Sequence, residues 1–378
     1  MFETAGALVA FSSAANAGIT IPAGDWTVDI GGNVNAYYNH VNYSGNAAGF
    51  NAKSNNTIQT GLLPSAIGIG AKTRQNDLDI AVQFTFFVGS DSGGQSSAGN
   101  NSLNIRQAFM TFGDASWGSV KIGRDLGVYG SDAILSDMTL LGVGTAAGHN
   151  GSSTLGRIGS GYMYADWIGQ IAYSTPNWNG FQATGAVTQG WANSADTTNN
   201  NLGYQGKLTY DFAANDVTGR VWVSGITQKH ENSYTSTGWD LGAKASYAGA
   251  TLVGYYYDGE GMSGSRSALV APNFMENGLF YFGSNNKTQD SGGYVQATYV
   301  IPGVGTKVGA SWGESMSTLA AGGAEFKNES WIVGAYHPLT KSLNLVAEYT
   351  DNKFENIGNT AGQNGKAKTT SIGAILFF

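Results

Sequence analysis

The sequence predicts a single all-β unit, a transmembrane antiparallel β-barrel of sixteen strands with one long loop folded back into its interior. Three observations predict it. First, only 12% of the 378 residues are charged, while Tyr 19, Phe 17 and Trp 9 make the chain rich in aromatics; soluble domains carry about 25% charged residues. Second, no stretch approaches the ~18 consecutive apolar residues of a membrane-spanning helix. Third, runs of strict alternation recur along the chain, and their connections alternate between tight turns and longer polar loops. Short turns on one side of a membrane and long loops on the other are the habit of barrels in lipid.

The stretch Asn104–Asn177 organises the rest. It opens with two alternating runs, Asn104–Gly113 and Gly118–Arg124, separated by Asp114–Trp117. Successive strand residues point to opposite faces. Ile105, Gln107, Phe109 and Thr111 therefore share one face, and Arg106, Ala108 and Met110 the other. Val120 and Ile122 share a face, with Lys121 opposite. Apolar residues outside and bases inside are the reverse of a soluble barrel. From Asp125 to Ser160 the alternation stops, and it resumes at Gly161–Trp178. Two tight hairpins around one very long loop are how a wide barrel takes a loop inside itself.

The segments RQAFMTFGDASWGSVKIGRD (106–125) and IAYSTPNWNGFQATGAV (171–187), with the terminal Phe378, resemble the general porins of Gram-negative outer membranes. The detailed likeness covers about a fifth of the chain, and the architectural likeness nearly all of it. It implies a homotrimer in the outer membrane, in contact with the lipid bilayer and lipopolysaccharide, passing small hydrophilic solutes. It implies that the third loop narrows the lumen and sets acids against a basic wall. Arg106 matches the family's wall arginine, and Arg124 the arginine that closes the GR pair before the loop. Phe378 matches the terminal signal for barrel assembly.

Residues 1–17 resemble a signal-peptide remnant: Gly6–Phe11 is apolar and Ser12–Ala17 ends in an A-x-A pattern. The barrel is expected over 18–378. Its first strand spans Asp25–His40, the second Thr57–Arg74 with a bend at Pro64, and the third Leu78–Ser90. The third puts Leu78, Ile80, Val82, Phe84 and Phe86 outward and Asp79, Gln83 and Thr85 inward. Beyond the 125–160 loop, Tyr204, Leu208, Tyr210 and Phe212 face out with Lys207 in. Val221 and Val223 face out with Arg220 in, and Trp239, Leu241 and Ala243 face out with Lys244 in. The second long outer loop is 259–290, unusually apolar at Asn273–Gly283. The last strand, Lys366–Phe378, puts Thr370, Ile372, Ala374, Leu376 and Phe378 on one face. An even strand count brings first and last strands together, leaving no unpaired edge in lipid, and sixteen strands leave an aqueous lumen.

The candidate wall residues at the constriction are Arg106, Lys121, Arg124, Lys72 and Arg74; Lys72 and Arg74 lie toward the tight turn. By parity Arg124 falls outward, so a bulge or strand end must redirect it. Within the loop, Ser131–Leu141 reads as a short helix with the stripe Ile134, Met138, Leu141 against the wall. Asp132 then faces the lumen and Asp137 the border; with Asp125 they are the candidate loop acids, or they merely cap and solubilise the helix. Lys207, Arg220 and Lys244 are further pore-lining bases. Inward bases outnumber inward acids (Asp29, Asp79, Asp211, Asp240, Glu348), which leans toward anions.

Other chemistries find little support. There is no Cys, so no disulfide or thiol nucleophile exists. His40, His149, His230 and His337 show no HExxH or paired-ligand spacing, and no GxGxxG, P-loop or GxSxG motif occurs. Neither catalysis nor a metal or other cofactor is expected. A net charge of -7 with scattered bases offers no stripe for nucleic acid. The expected function is passive diffusion of small hydrophilic solutes and ions. The alternatives are a substrate-selective channel, or a barrel acting as adhesin or receptor through its loops.

Overall fold

Alternation becomes a closed wall. The computed structural model describes residues 18–47, 50, 54–88, 103–145, 153–190, 201–230, 234–262, 287–319, 325–356 and 361–378. Residues 1–17 and the apolar stretch 273–283 lie outside the described residues. The strands are β1 (Ile19–Ala23), β2 (Trp26–Gly45), β3 (Ser54–Gln59), β4 (Ser65–Gln75), β5 (Leu78–Val88), β6 (Asn104–Asp114) and β7 (Gly118–Leu126). A helix α1 (Ser131–Ser136) and a 3-10 turn (Met138–Leu141) follow. Then come β8 (Trp167–Ser174), β9 (Phe181–Thr188), β10 (Gly203–Ala214), β11 (Val217–Lys229), β12 (Thr235–Tyr247) and β13 (Ala250–Glu260). The chain ends with β14 (Thr288–Val300), β15 (Lys307–Leu319), β16 (Glu325–Pro338), β17 (Leu343–Glu355) and β18 (Gly365–Phe377).

From β4 onward each strand pairs antiparallel with the next, and β18 returns to β2 through Asn33–Gly45. On that same edge of β2, β1 pairs with Trp26–Ile30. On the opposite edge β3 and β4 share the pairing, broken over 60–64 around Pro64. The 18 strands of the sheet thus form a closed barrel of sixteen staves. The chain's end completes the ring: Phe378 and Gly32 exchange backbone hydrogen bonds of 2.9 and 3.1 Å.

Tight turns and faces follow the sequence closely. Asn76 and Asp77 both have positive φ (47° and 62°), which lets two residues join β4 to β5. The outer face is largely apolar: Ile171, Tyr204, Leu241, Leu252, Val295 and Ile372 are all exposed. The inner face is polar and buried, with Asn35, Gln83, Thr85, Gln107, Gln205, Asp240, Gln296 and Glu348. An exposed apolar belt of this extent is stable only against lipid.

Three expectations are corrected. In β6, Gln107 pairs with Thr85 but Ile105 pairs with Phe86, so Arg106 is the extra residue of a β-bulge. Arg106 stacks over inward Phe87, 4.8 Å from its ring centre, and beyond the bulge the parity is inverted. Gln107, Phe109 and Thr111 face in, and Ala108 and Met110 face out. Second, the strand after the loop starts at Trp167, not Gly161, so the inward segment is longer than 125–160. Third, the helix stops at Ser136. Asp137 adopts extended backbone and caps the 3-10 turn by accepting from Thr139 N at 2.9 Å. The helix begins at left-handed Gly130, without a side-chain cap.

Placing a charge on the outer face tests its contact with lipid. Leu241→Arg is expected to destabilise the barrel by about 2–4 kcal/mol in phospholipid vesicles, read from urea unfolding monitored by tryptophan fluorescence.

Candidate functional site

The site is the interior of the barrel between Gly127 and Asp166, where the chain leaves the wall and returns. A backbone inside a barrel must satisfy its own donors and acceptors. Here the wall supplies many of the partners. Gln205 Oε1 accepts from Val128 N and Tyr129 N at 2.8 and 2.9 Å. Asp240 Oδ2 accepts from Gly130 N at 3.1 Å. Gln296 accepts from Met138 N and donates to Ser136 O, at 2.7 and 2.9 Å. Glu348 Oε2 accepts from Val143 N and Gly144 N, at 3.0 and 2.7 Å, and its other oxygen accepts from Tyr336 Oη at 2.6 Å. On the opposite side Leu62 N donates to Gly142 O at 2.9 Å, in the gap between β3 and β4. A side chain at Gly61 would strike that same Gly142 oxygen, which is why the gap carries a glycine.

Ion pairs and apolar contacts complete the attachment. Asp132 lies against the wall, not toward the lumen as expected; Lys207 Nζ is 2.6 Å and Arg220 Nη1 3.0 Å from its carboxylate. Arg220 also binds Asp211 at 2.6 Å. Burial opposes the charge on Asp132, yet Lys207 and Arg220 hold its carboxyl below the ordinary carboxylate range. Asp137 is folded into the segment, accepting from Tyr162 Oη at 2.7 Å and Arg157 N at 3.1 Å. Ala133, Ile134, Leu155, Ile158, Tyr162 and Met163 pack with wall residues Trp222, Val253, Tyr255, Tyr257 and Tyr294. Arg157 is fully buried, and its guanidinium donates to Ser311 Oγ, Ser160 O and Ser330 Oγ. Burial pulls that group down to about 10, so it remains charged at neutral pH.

The expected wall bases are dispersed. Lys121 binds Asp125, which is nearly inaccessible and also accepts from Gln107 Nε2 at 2.8 Å. Gln107 accepts in turn from Thr85 Oγ1 at 2.6 Å, so a polar chain braces the point where β7 leaves the wall. Lys72 pairs with Asp29 at 3.0 Å, and Arg74 with Asp79 and Asp114 at 2.8 and 3.0 Å. Both lie at the tight-turn end, with Arg74 about 20 Å along the strands from the level of Arg106 at ~3.3 Å per residue. Arg124 is a correction. It pairs with Ala108 and Gly169 and shares the outer face of Met110 and Ile171, because the only β6 bulge lies above its level. Nor does Arg106 face Asp132 or Asp137, both of which are consumed by other partners.

Sequence reasoning found Asp240 and Glu348 as inward acids but not as grips for the loop backbone. It missed Arg157, which stands in a stretch without periodicity, and Tyr162, which the alternation from Gly161 assigns to a strand that in fact begins at Trp167. It also missed Lys307, whose parity with Ser311 and Ser315 marks it as inward.

Removing one grip isolates its contribution. Glu348→Ala orphans two backbone N–H groups and the Tyr336 hydroxyl, and is expected to cost about 2–4 kcal/mol and lower Tm. Glu348→Gln, which keeps an acceptor, is expected to cost less. Calorimetry in detergent, with limited proteolysis of the inward segment, checks both.

Comparisons agree with this architecture. Among solved structures the chain resembles the outer membrane channel DcaP of Acinetobacter baumannii, at 16% identity and TM-score 0.64, covering 94% of this chain and 99% of that one. It resembles an anion-selective porin from Comamonas acidovorans at 16% identity and TM-score 0.61, covering 93% and 100%. The trimer form of OmpT, an outer membrane protein of Vibrio cholerae, is similar at 14% identity and TM-score 0.58, covering 93% and 99%. At such identities the likeness is one of fold. No curated protein matches the chain. A family model described as Gram-negative porin, however, matches residues 4–357. This closed barrel, apolar outside and polar within, belongs to the Gram-negative porin family and is an outer-membrane channel.

Proposed function

We propose that the chain is a passive diffusion channel for small hydrophilic solutes, that it favours anions, and that it works as a homotrimer. The charge balance of the lumen carries the anion preference. Among the described inward-facing acids, Asp29, Asp79, Asp125, Asp132 and Asp211 are paired with bases. Asp137, Asp240 and Glu348 are buried and hold the inward segment, and buried Asp290 accepts from Met262 N, Thr288 Oγ1 and Ser317 Oγ. The bases Arg106 and Lys307 instead rest on aromatic rings, with no ion pair among the described residues, and Lys244 has none either. The charge left for a solute is therefore positive. The anion-selective porin named above supports the same reading, and the trimer form of OmpT supports the assembly.

The inward segment acts as a sieve. Its apolar packing against β11, β13 and β14 fills one arc of the lumen, so size exclusion and the residual positive field act together on what passes. Lys353 and Lys366, with their acidic partners Glu355 and Asp351, form part of an ionic rim above the apolar belt, which supports contact with the phosphates of lipopolysaccharide.

Planar-bilayer recording under a salt gradient tests this. A reversal potential of anion sign is expected, with closures in groups of three. Arg106→Gln is expected to move the reversal potential toward zero. A cation sign in the wild type rejects the anion preference, and folded protein without conductance rejects the channel.

A further inference from the structure

The stave built from β3 and β4 is interrupted at residues 60–64. Between the pairs Asn33–Ala66 and Tyr37–Gln59, residues 34–36 of β2 stand opposite residues 60–65. The surplus cannot lie flat in a ladder, and Pro64 has no N–H to offer one. Backbone groups left open in a barrel wall find no water on the lipid side. Here their partners come from inside. Asn35 is buried; its Oδ1 accepts from Gly61 N at 2.9 Å, and its Nδ2 donates to Leu63 O at 2.9 Å and to Asn33 Oδ1 at 2.7 Å. Asn33 Nδ2 donates to Pro64 O at 3.2 Å. One amide side chain, with both donor and acceptor, thus stands in for the peptide groups of a neighbouring strand.

The inward segment supplies further partners from both its limbs. On the outgoing limb, Gly142 O accepts from Leu62 N at 2.9 Å, and Leu141 O beside it accepts from Tyr37 Oη of β2 at 2.7 Å. On the returning limb, Thr154 N donates to Thr60 O and Gly61 O, both at 3.2 Å. The limbs are tied to each other at the same place: Thr145 N donates to Gly156 O at 2.9 Å, and Gly156 N to Val143 O at 3.0 Å. Leu62 and Leu63 are adjacent in sequence, yet both pack on groups inside the barrel, which a continuous strand forbids. Leu62 joins Leu155 and Ile158 in the apolar core, and a Cβ on Gly156 would meet its methyl at 2.4 Å. Leu63 lies with Leu141 against Ile375 and Phe377.

Wall and segment therefore complete each other. Gln205, Asp240 and Gln296 hold the outgoing limb nearer its departure, whereas the interruption takes hold of both limbs at one point. We propose that the interruption at 60–64 is a dock that fixes the two limbs of the inward segment, and that Asn35, which gives the dock its shape, is a positioning residue for the size cut-off of the channel. The dock deepens the sieve proposed above and rests on it. Asn35 touches no solute; it acts through Gly61 and Leu63, and so through the place where Leu62, Gly142 and Thr154 meet.

The test is liposome swelling with a series of neutral sugars of rising size, which reads size without charge. Asn35→Ala is expected to raise the size cut-off and the single-channel conductance. Leu62→Ala, which removes the apolar contact and keeps the backbone hydrogen bonds, is expected to raise both to a smaller extent, and it carries the test where Asn35→Ala does not fold. The chain has no cysteine, so Thr60→Cys with Thr154→Cys introduces the only two thiols. Joined by oxidation in either alanine background, they are expected to return the cut-off to the wild-type value, and reductant is expected to raise it again. A merely structural loss does not follow the redox state. Heat-modified gel mobility confirms that each variant is folded. A wild-type cut-off in the folded alanine variants, or a raised cut-off indifferent to the cross-link, overturns the dock while leaving the channel and its sieve intact. A wild type that shows no cut-off along the series overturns the sieve reading itself.

Discussion

The structure depends on how the barrel wall satisfies a backbone that runs through its own interior. Among the described residues between Gly127 and Asp166 the chain has a short helix, one 3-10 turn and two isolated bridges, so many N–H and C=O groups there need partners outside regular structure. Leaving such groups buried and unpaired costs about 1–3 kcal/mol each. The wall answers with side chains from well-separated strands: Gln205 on β10, Asp240 on β12, Gln296 on β14 and Glu348 on β17. These grips bind main chain rather than side chain, so they fix the path of the segment while leaving its sequence partly free. The broken stave contributes too, because the interruption between β3 and β4 offers the Leu62 N–H to the Gly142 oxygen.

This arrangement decides the electrostatics. Each acid spent on holding the segment is withdrawn from the lumen. Asp240 and Glu348 face inward by parity, as the alternation of their strands predicts, yet both are buried with carboxylate oxygens on the backbone of the segment. Asp132 too is buried, drawn into the cluster with Lys207 and Arg220. The formal charge of -7 is therefore no direct measure of the charge along the inner wall. Counting inward residues is an incomplete reading of the lumen: which charges have partners also matters, and pairing across the barrel is invisible in a linear pattern.

Where one strand meets its neighbour, the sequence was a reliable guide. Leu78 to Phe86, Tyr204 to Tyr210 and Trp239 to Tyr247 alternate as expected because one solvent is lipid and a one-residue slip would expose every polar side chain to it. It was unreliable where the backbone departs from two-residue periodicity. The bulge at Arg106 adds one residue and reverses the faces after it; Met110, taken as inward, is exposed. Arg124, expected at the pore wall, stays on the outer face where simple parity puts it, because no register shift in β7 redirects it. The inward segment is legible as a loop, and of the helix expected over Ser131–Leu141 only Ser131–Ser136 is α-helical. Its attachment is not legible, since Arg157 and Tyr162 act through contacts that no linear pattern marks.

The interior is also divided in character around its circumference. Trp222, Tyr255, Tyr257 and Tyr294 turn inward on β11, β13 and β14 and pack against the segment, giving that arc an apolar core. On the arc of β5 to β7, polar groups face in and form the chain Thr85, Gln107, Asp125, Lys121. One arc anchors and the other braces the point of departure. The described residues of the segment are thus fixed by apolar packing on one arc and by hydrogen bonds from several staves. The inner wall thus carries an apolar arc and a polar arc, and the path of the segment follows from where its backbone is held between them.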